Sequence, residues 1–208
     1  VHQMLPSLAL QPRELALVPL GSGNDTARAL GVAGLRWDEA LDHALRGAAT
    51  PMDLGWCEAE GRTLWFASSL TAGFDSAVGA RALRAPAVLR GLPRYLWATL
   101  GELAALRHWP LTISLDGQRV HDGPVLFASV LNTPSYGSGM PVMPMARIDD
   151  GRLDLLVAGP FGRLGTAAML PRMLAGRHLP HPRVYTGSFT RLQIASPVAV
   201  PLAGDGEP

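Results

Sequence analysis

The chain has 208 residues, enough for one large domain or a small pair, and 48% of them are apolar, so a substantial core can be buried. A formal net charge of +1 excludes the broad basic footprint of a nucleic-acid-binding domain. The one cysteine, Cys57, excludes an internal disulfide and fits a reducing cytosol; neither a secretory signal nor an apolar run of the ~18 residues of a membrane span is found.

From the N-terminus, Val1, Met4, Leu5, Leu8 and Leu10 have helical spacing. Leu15–Val18 reads as a short buried strand, stopped by Pro19, which cannot donate to a sheet ladder. Gly21-Ser22-Gly23 is a loop with almost no side-chain bulk, and Asn24 and Asp25 are good N-caps for a helix over Thr26–Leu30 closed by Gly31. Such a strand, loop and helix start can cradle a phosphate with free N–H groups and a helix dipole, or can be an ordinary turn. It is neither a P-loop nor a dinucleotide fingerprint, because no Lys-Ser/Thr follows and the glycines are spaced otherwise. Ser22 lacks the frame of a nucleophile elbow, which argues against acyl hydrolysis. Asp25 would repel a bare phosphate, so the cradle reading places a divalent cation between them, as in Mg²⁺-nucleotide chemistry.

Trp37, Ala40, Leu41, Ala44 and Leu45 form one stripe of an amphipathic helix, with Asp38 and Glu39 in its first turn and Arg46-Gly47 at its end. Its role is expected to be structural. The small, turn-prone Gly47–Pro51 marks a domain boundary. Met52–Cys57 and Thr63–Ser69 read as a hairpin. Asp75 is either functional or the cap of a helix beginning near Ser76. Ala77–Arg107 is helical in character with breaks at Pro86 and Pro93, and Leu96, Leu100, Leu103 and Ala104 share a face of its strongest piece. Arg81, Arg84, Arg90, Arg94 and Arg107 make this region locally basic beside Tyr95, Trp97 and Trp109. The preferred reading is a solvated face with aromatic core packing; the alternative is a surface for anionic lipid headgroups.

Leu111–Leu115 alternates as a strand and Asp116-Gly117 makes a tight hairpin turn. Val125–Leu131 reads as a strand buried on both faces, and Asn132–Met143 as a glycine- and proline-rich loop. Leu153–Val157 is a further strand, and Arg163–Gly176 a helix kinked or broken at Pro171. Thr190–Ile194 and Val198–Leu202 alternate on either side of the Ser196-Pro197 turn. Asp149, Asp150 and Asp154 crowd their carboxylates, either to hold a hard cation or as an ordinary Asp-Asp-Gly turn. Asp205 and Glu207, at i and i+2, would share a face in extended backbone. The histidines lack zinc spacing and read as surface residues.

Four of these segments carry a family resemblance. Pro19–Gly31, PLGSGNDTARALG, resembles the P-L-G-T-G-N-D-x-A-R-x-L-G segment of the diacylglycerol kinase catalytic-domain superfamily, which includes bacterial lipid kinases and sphingosine kinases. Asn132–Ala146 is similar to its N-x-x-x-Y-G-G-G-M-x-I-A-P-x-A, with Ser138 for one glycine and Met143 for the alanine. Asp149–Asp154 resembles D-D-G-x-L-D, and Asp205–Pro208 resembles D-G-E-P. Thr71–Val78 is also similar to G-x-G-F-D-A-x-V, with Ala72-Gly73 for the small-residue pair.

The resemblance implies an α+β architecture: residues 1–48 as the C-terminal remnant of an α/β nucleotide-binding domain, and 49–208 as a β-rich, sandwich-like domain with two helical insertions. In that frame the sequence reads as a fragment, inactive alone, because it starts at Val1 and lacks the Gly-Gly-Asp-Gly-Thr/Ser signature that would precede it. The implied reaction moves the γ-phosphate of ATP to a lipid hydroxyl, diacylglycerol-like or sphingoid-like, with Mg²⁺. The protein would be cytoplasmic and peripherally associated with the membrane, with ATP and a lipid as partners, no nucleic acid, and a homodimer among the assemblies allowed. By resemblance Gly21, Ser22, Gly23, Asn24 and Asp25 bind the nucleotide, and Asp25 the metal. Glu207 orients or deprotonates the acceptor hydroxyl, Asp205 supports it, and Asp149, Asp150 and Asp154 hold a second, structural Mg²⁺. A NAD kinase-like enzyme and a non-catalytic lipid- or nucleotide-binding protein are the alternatives.

Overall fold

A computed structural model describes residues 1–9, 11, 13–21 and 23–207, the Leu92 side chain excepted. A 3-10 turn at His2–Met4 leads into α1 (Leu5–Ala9), followed by the short α2 (Asp25–Ala29) and the longer α3 (Trp37–Arg46). The strand-rich remainder runs β1 (Gly55–Ala59), β2 (Arg62–Phe66), β3 (Ser69–Gly73), α4 (Phe74–Leu83), α5 (Leu92–Ala104), β4 (Trp109–Leu115), β5 (Gln118–Val125) and β6 (Phe127–Leu131). It closes with β7 (Leu153–Ala158), α6 (Arg163–Leu174), β8 (Val184–Phe189), β9 (Leu192–Ala195) and β10 (Leu202–Gly204).

A five-stranded antiparallel sheet of order β10-β3-β6-β7-β8 faces a three-stranded sheet of order β5-β4-β9, and β1-β2 is a separate hairpin. β3 and β6 sit at the heart of the large sheet and are buried at every position, as their small and apolar residues allow. β4 alternates instead: Trp109, Leu111, Ile113 and Leu115 are buried while the residues between them are not. These four pack into one core with Phe127, Val130, Leu155 and Val157 of the large sheet, giving the sandwich. Three hairpin turns use an acidic residue and a glycine, both at positive φ: Glu60-Gly61 (52° and 74°), Asp116-Gly117 (48° and 85°) and Asp205-Gly206 (50° and 84°). That is the mirror-image turn whose twist matches paired strands.

Several expectations change. Leu15–Val18 forms no strand; the segment is without regular structure, with Leu15 and Ala16 exposed and Leu17 and Val18 half-buried. An extended segment becomes a strand only by pairing its backbone, and among the described residues none lies beside it as a ladder partner. In α3 only Ala40 is buried, so the apolar stripe of Trp37, Leu41 and Leu45 faces outward rather than into a core. α5 is likewise reversed: among its described side chains Ala98 and Glu102 are the buried ones, and Leu96 and Leu100 are exposed. Pro93 lies in the first turn of α5, where its missing N–H costs nothing, rather than breaking it. α6 runs through Pro171. β8 was not anticipated, and of the two alternating segments that flank Ser196-Pro197 the first gives β9 of the small sheet while the second enters a strand only at Leu202, in β10 of the large sheet. His178 is buried at 1% exposure, its Nε2 bonded to the Val142 carbonyl at 2.9 Å, because α6 and the 132–143 loop close over it.

Candidate functional site

The Pro19–Asp25 segment is a loop held by its own side chains. Asn24 adopts a left-handed conformation (φ 54°) and its Nδ2 donates to the carbonyls of Gly21 (2.7 Å) and Pro19 (3.2 Å). A Cβ at Gly21 would lie 2.8 Å from Asn24 Oδ1, so the fold-back requires glycine there. Arg28 closes the loop from the far side by donating to the Gly23 carbonyl (3.2 Å). Ser22 lies outside the described residues. Asn24 occupies the N-cap position of α2, yet its side chain serves the loop and makes no capping bond. With only five residues, α2 carries a much smaller dipole than a full helix would bring to a phosphate.

Asp25 reaches across to the 132–143 loop. Its Oδ1 accepts from the Gly139 N–H (2.7 Å) and the Ser135 hydroxyl (3.2 Å), and its Oδ2 from the Ser138 N–H (3.0 Å). Arg28 Nε stands 3.9 Å from the same carboxylate. To offer these donors the loop turns through three consecutive positive-φ residues, Gly137 (62°), Ser138 (72°) and Gly139 (95°). Ser138 therefore carries the ~1–2 kcal/mol that a side chain costs in this region.

Asp205 does the same work at the other end of the chain. At the corner of the turn after β10, it accepts from the backbone N–H groups of Ala67 (2.9 Å), Ser68 (2.7 Å) and Ser69 (3.1 Å), and His2 Nδ1 is 3.5 Å away. The two anchors are joined. Ser68 Oγ bonds to Thr133 Oγ1 (2.8 Å), Thr133 donates to the Ser135 carbonyl (2.8 Å), and the Ser135 hydroxyl reaches Asp25. Glu207, expected to lie beside Asp205 in extended backbone, instead closes the tight turn: its main chain exchanges two 2.8 Å hydrogen bonds with Gly204, and its side chain is exposed. The correction follows from Asp205-Gly206, whose paired positive φ values make a corner.

Asp75 does not cap α4, whose N-cap is Gly73; its carboxylate accepts a hydrogen bond from the Tyr136 hydroxyl in the same loop. Burial pushes the Asp75 carboxyl up to about 6, with the Tyr136 bond opposing part of that rise. Burial and the facing Asp75 carboxylate in turn push the Tyr136 phenol well above its ordinary range. Asp25, Asp75 and Asp205, distant in sequence, all engage the loop after β6 or the strand beside it. Tyr136, Ser135, Thr133, Ser68 and His2 are members of this cluster that neither spacing nor composition singles out. Tyr136 stood inside the Y-G-S-G segment, but nothing in the spacing tied it to Asp75.

The donor set does not suit a resident Mg²⁺. Both oxygens of Asp25 point at N–H and O–H donors with a guanidinium alongside, an arrangement that satisfies an anion and repels a cation. Of the three remaining aspartates, Asp150 and Asp154 are neighbours, but the three are not grouped together. Asp149 pairs with Arg147 (3.3 Å) and lines a cleft of about 340 Å³ between α2 and the loop. Asp150 accepts from the Arg152 N–H (3.0 Å), while burial and the neighbouring Asp150 push the Asp154 carboxyl up. Among the described residues, no three His, Cys, Asp or Glu side chains are grouped to hold a metal ion. The Asp-Asp-Gly segment is a turn, fixed by the Gly151 N–H donating to Asp53 Oδ2 at 2.7 Å.

Comparison with known proteins shows the family. Residues 68–208 match the family described as the YegS C-terminal NAD kinase beta sandwich-like domain, and residues 1–57 match the diacylglycerol kinase catalytic domain. The chain is 32% identical over 210 residues to a diacylglycerol kinase of Mycobacterium tuberculosis, covering all of this chain and 67% of that protein. It is 26% identical over 208 residues to a diacylglycerol kinase of Bacillus subtilis, covering 93% of this chain and 62% of the relative. A crystal structure of a diacylglycerol kinase from Bacillus anthracis str. Sterne superposes on all of this chain and 67% of that one with a TM-score of 0.68 at 19% identity, a likeness of fold.

Proposed function

This chain belongs to the diacylglycerol kinase family of lipid kinases, and we propose that the protein transfers the γ-phosphate of Mg·ATP to the hydroxyl of a diacylglycerol-like or sphingoid-like lipid. The observation that supports the reading is the hydrogen-bonded path from Asp205 through Ser68, Thr133 and Ser135 to Asp25. It ties motifs from opposite ends of the sequence to one loop, as a two-substrate site demands. We assign residues 1–48 to a nucleotide-binding domain and 49–208 to a sandwich-like one; the chain spans about two thirds of the length of the relative it matches in Mycobacterium tuberculosis.

In this scheme the Gly21–Asn24 loop offers backbone N–H groups to the phosphates, kept in shape by the Asn24 carboxamide and Arg28. Asp25 acts as a positioning residue that sets the loop against the second motif. Glu207, exposed where the last turn closes, accepts the proton of the acceptor hydroxyl, and Asp205 holds that turn in place. Among the described residues no helix is long and apolar enough to cross a membrane; in the proposed scheme the lipid is met at the bilayer surface by a peripherally associated, cytoplasmic protein. The test is phosphate transfer by the full-length protein from labelled ATP to a panel of diacylglycerol, sphingoid base and NAD. Label in a lipid is expected, and Glu207→Gln should cut kcat by about 10²–10⁴ with little change in thermal stability. Label in NAD alone would sink the reading.

A further inference from the structure

The last turn of the chain is fixed to the sandwich through Asp205. Its N–H donates to the Ser69 carbonyl (2.8 Å), and its carboxylate accepts from the N–H groups of Ala67, Ser68 and Ser69. Beside that carboxylate stands a side chain from the other end of the sequence. His2 Nδ1 is 3.5 Å from Asp205 Oδ2, and the two side chains are 26% and 11% exposed. The nitrogen itself is buried, and among the described residues it has no hydrogen-bond partner. The sequence reads His2 as a surface residue, but its own turn carries it inward: the Leu5 N–H donates to the His2 carbonyl, and Leu5 is buried. The imidazole lies against Gly204, where a Cβ would come 3.2 Å from His2 Cε1 and 3.8 Å from Nδ1. Gly204 is not at positive φ, so the ring, and not the backbone conformation, accounts for a glycine there.

We propose that His2 is a positioning residue for phosphoryl transfer: its Nδ1–H is aimed at Asp205 Oδ2 and holds the turn that carries Glu207 in register with the N-terminal segment. The inference rests on the lipid-kinase reading for the role of Glu207, and adds the residue that places it. Nδ1 must carry the proton, since a bare lone pair facing a carboxylate oxygen is repelled. Asp205 cannot turn away from the ring, because both of its oxygens are already held by backbone N–H groups. A separation of 3.5 Å lies at the outer edge of a hydrogen bond, so the contact is loose in the free protein and shortens when both substrates are bound. Its contribution then falls on turnover and not on the capture of either substrate. Asparagine can replace the ring, because its Nδ2, like Nδ1, sits one bond beyond Cγ and carries a proton. Leucine has the same branching and no donor.

The experiment is steady-state phosphate transfer from labelled ATP to a dispersed diacylglycerol by the full-length protein and its variants, with heteronuclear NMR of the histidine rings in parallel. His2→Leu should lower kcat by about 10–10²-fold and leave KM for ATP and lipid within about twofold. His2→Asn should restore kcat to within about threefold of the wild type, which a purely space-filling role of the ring would not allow. Gly204→Ala, which crowds the ring, should lower kcat about tenfold in the wild type and change it less than about twofold in a His2→Ala background, where no ring is left to displace. In the NMR spectra the His2 ring should be protonated at Nδ1, its signals assigned by their loss in His2→Asn. Wild-type kcat in His2→Leu, His2→Asn as slow as His2→Leu, or additive losses from Gly204→Ala and His2→Ala each overturn the inference. So does a His2 ring protonated at Nε2 alone. If His2→Leu fails to fold, Gly204→Ala and the ring spectra decide. A wild type that transfers no phosphate but is protonated at His2 Nδ1 rules out the kinase reading while the contact stands, so the two proposals fail separately.

Discussion

At the scale of single residues, the acids of the site are defined by what they accept. Asp205 takes three backbone N–H groups, Asp25 two and a hydroxyl, and Asp75 a phenol. Asp75 differs because its enclosure opposes ionisation. Its carboxyl sits at about 6 in the fold against 3.8 in the open chain, so the folded state holds the proton more tightly over that interval. For this group stability is greatest below 3.8 and declines as pH rises through about 6, the reverse of a salt-bridged aspartate. The cost above that range is on the order of 3 kcal/mol. Asp75→Asn should remove this dependence: the loss of melting temperature on going from pH 4.5 to 7.5 will be smaller in the variant than in the wild type, as thermal unfolding at both pH values would show. An equal loss in both proteins would remove Asp75 as its source.

At the scale of elements, the α4–α5 hairpin is held by polar contacts where a helix pair is usually held by apolar ones. Arg81 bonds Glu102, and Arg94 Nε donates to the Ala82 carbonyl at 2.6 Å. Gly101 leaves room for this, since a Cβ there would lie 2.9 Å from Arg81 Cδ. The amphipathic pattern of α5 was readable from the sequence, but its inward face was not, because periodicity marks a stripe without saying whether protein or lipid covers it. Glu102→Ala should cost about 1–3 kcal/mol, below the figure for a fully buried pair because the Arg81 side chain reaches solvent. That corresponds to a melting temperature lower by roughly 3–8 °C, with hydrogen exchange accelerating first in residues 76–104. An unchanged exchange pattern there would show that the ion pair does not hold the hairpin.

At the scale of the whole molecule, Asp25 is a latch between the N-terminal segment and the sandwich. Asp25→Ala should lower stability by about 2–3 kcal/mol, since it strips acceptors from two backbone N–H groups and a hydroxyl. The drop should persist in EDTA, and limited proteolysis should then cut within residues 13–24 sooner than in the wild type. A destabilisation that vanishes on chelation would return Asp25 to the role of metal ligand.

The sequence by itself determined the family, the α+β architecture, the β1-β2 and Asp116-Gly117 hairpins, the buried β6 strand and the α3 helix. All of these rest on local pattern: glycine at turn corners, alternation along strands, spacing along helices and order of motifs. Only the tertiary structure decided which of those patterns face inward. Leu15–Val18 had the composition of a strand but no described neighbour to pair with, and the stripes of α3 and α5 had the period of core helices but lie outside the core. Only the fold, too, spent the carboxylates of Asp25 and Asp205 on backbone donors far away in the chain. A carboxylate's partners are chosen by three-dimensional proximity, and neither spacing nor composition records which distant N–H groups will arrive beside it.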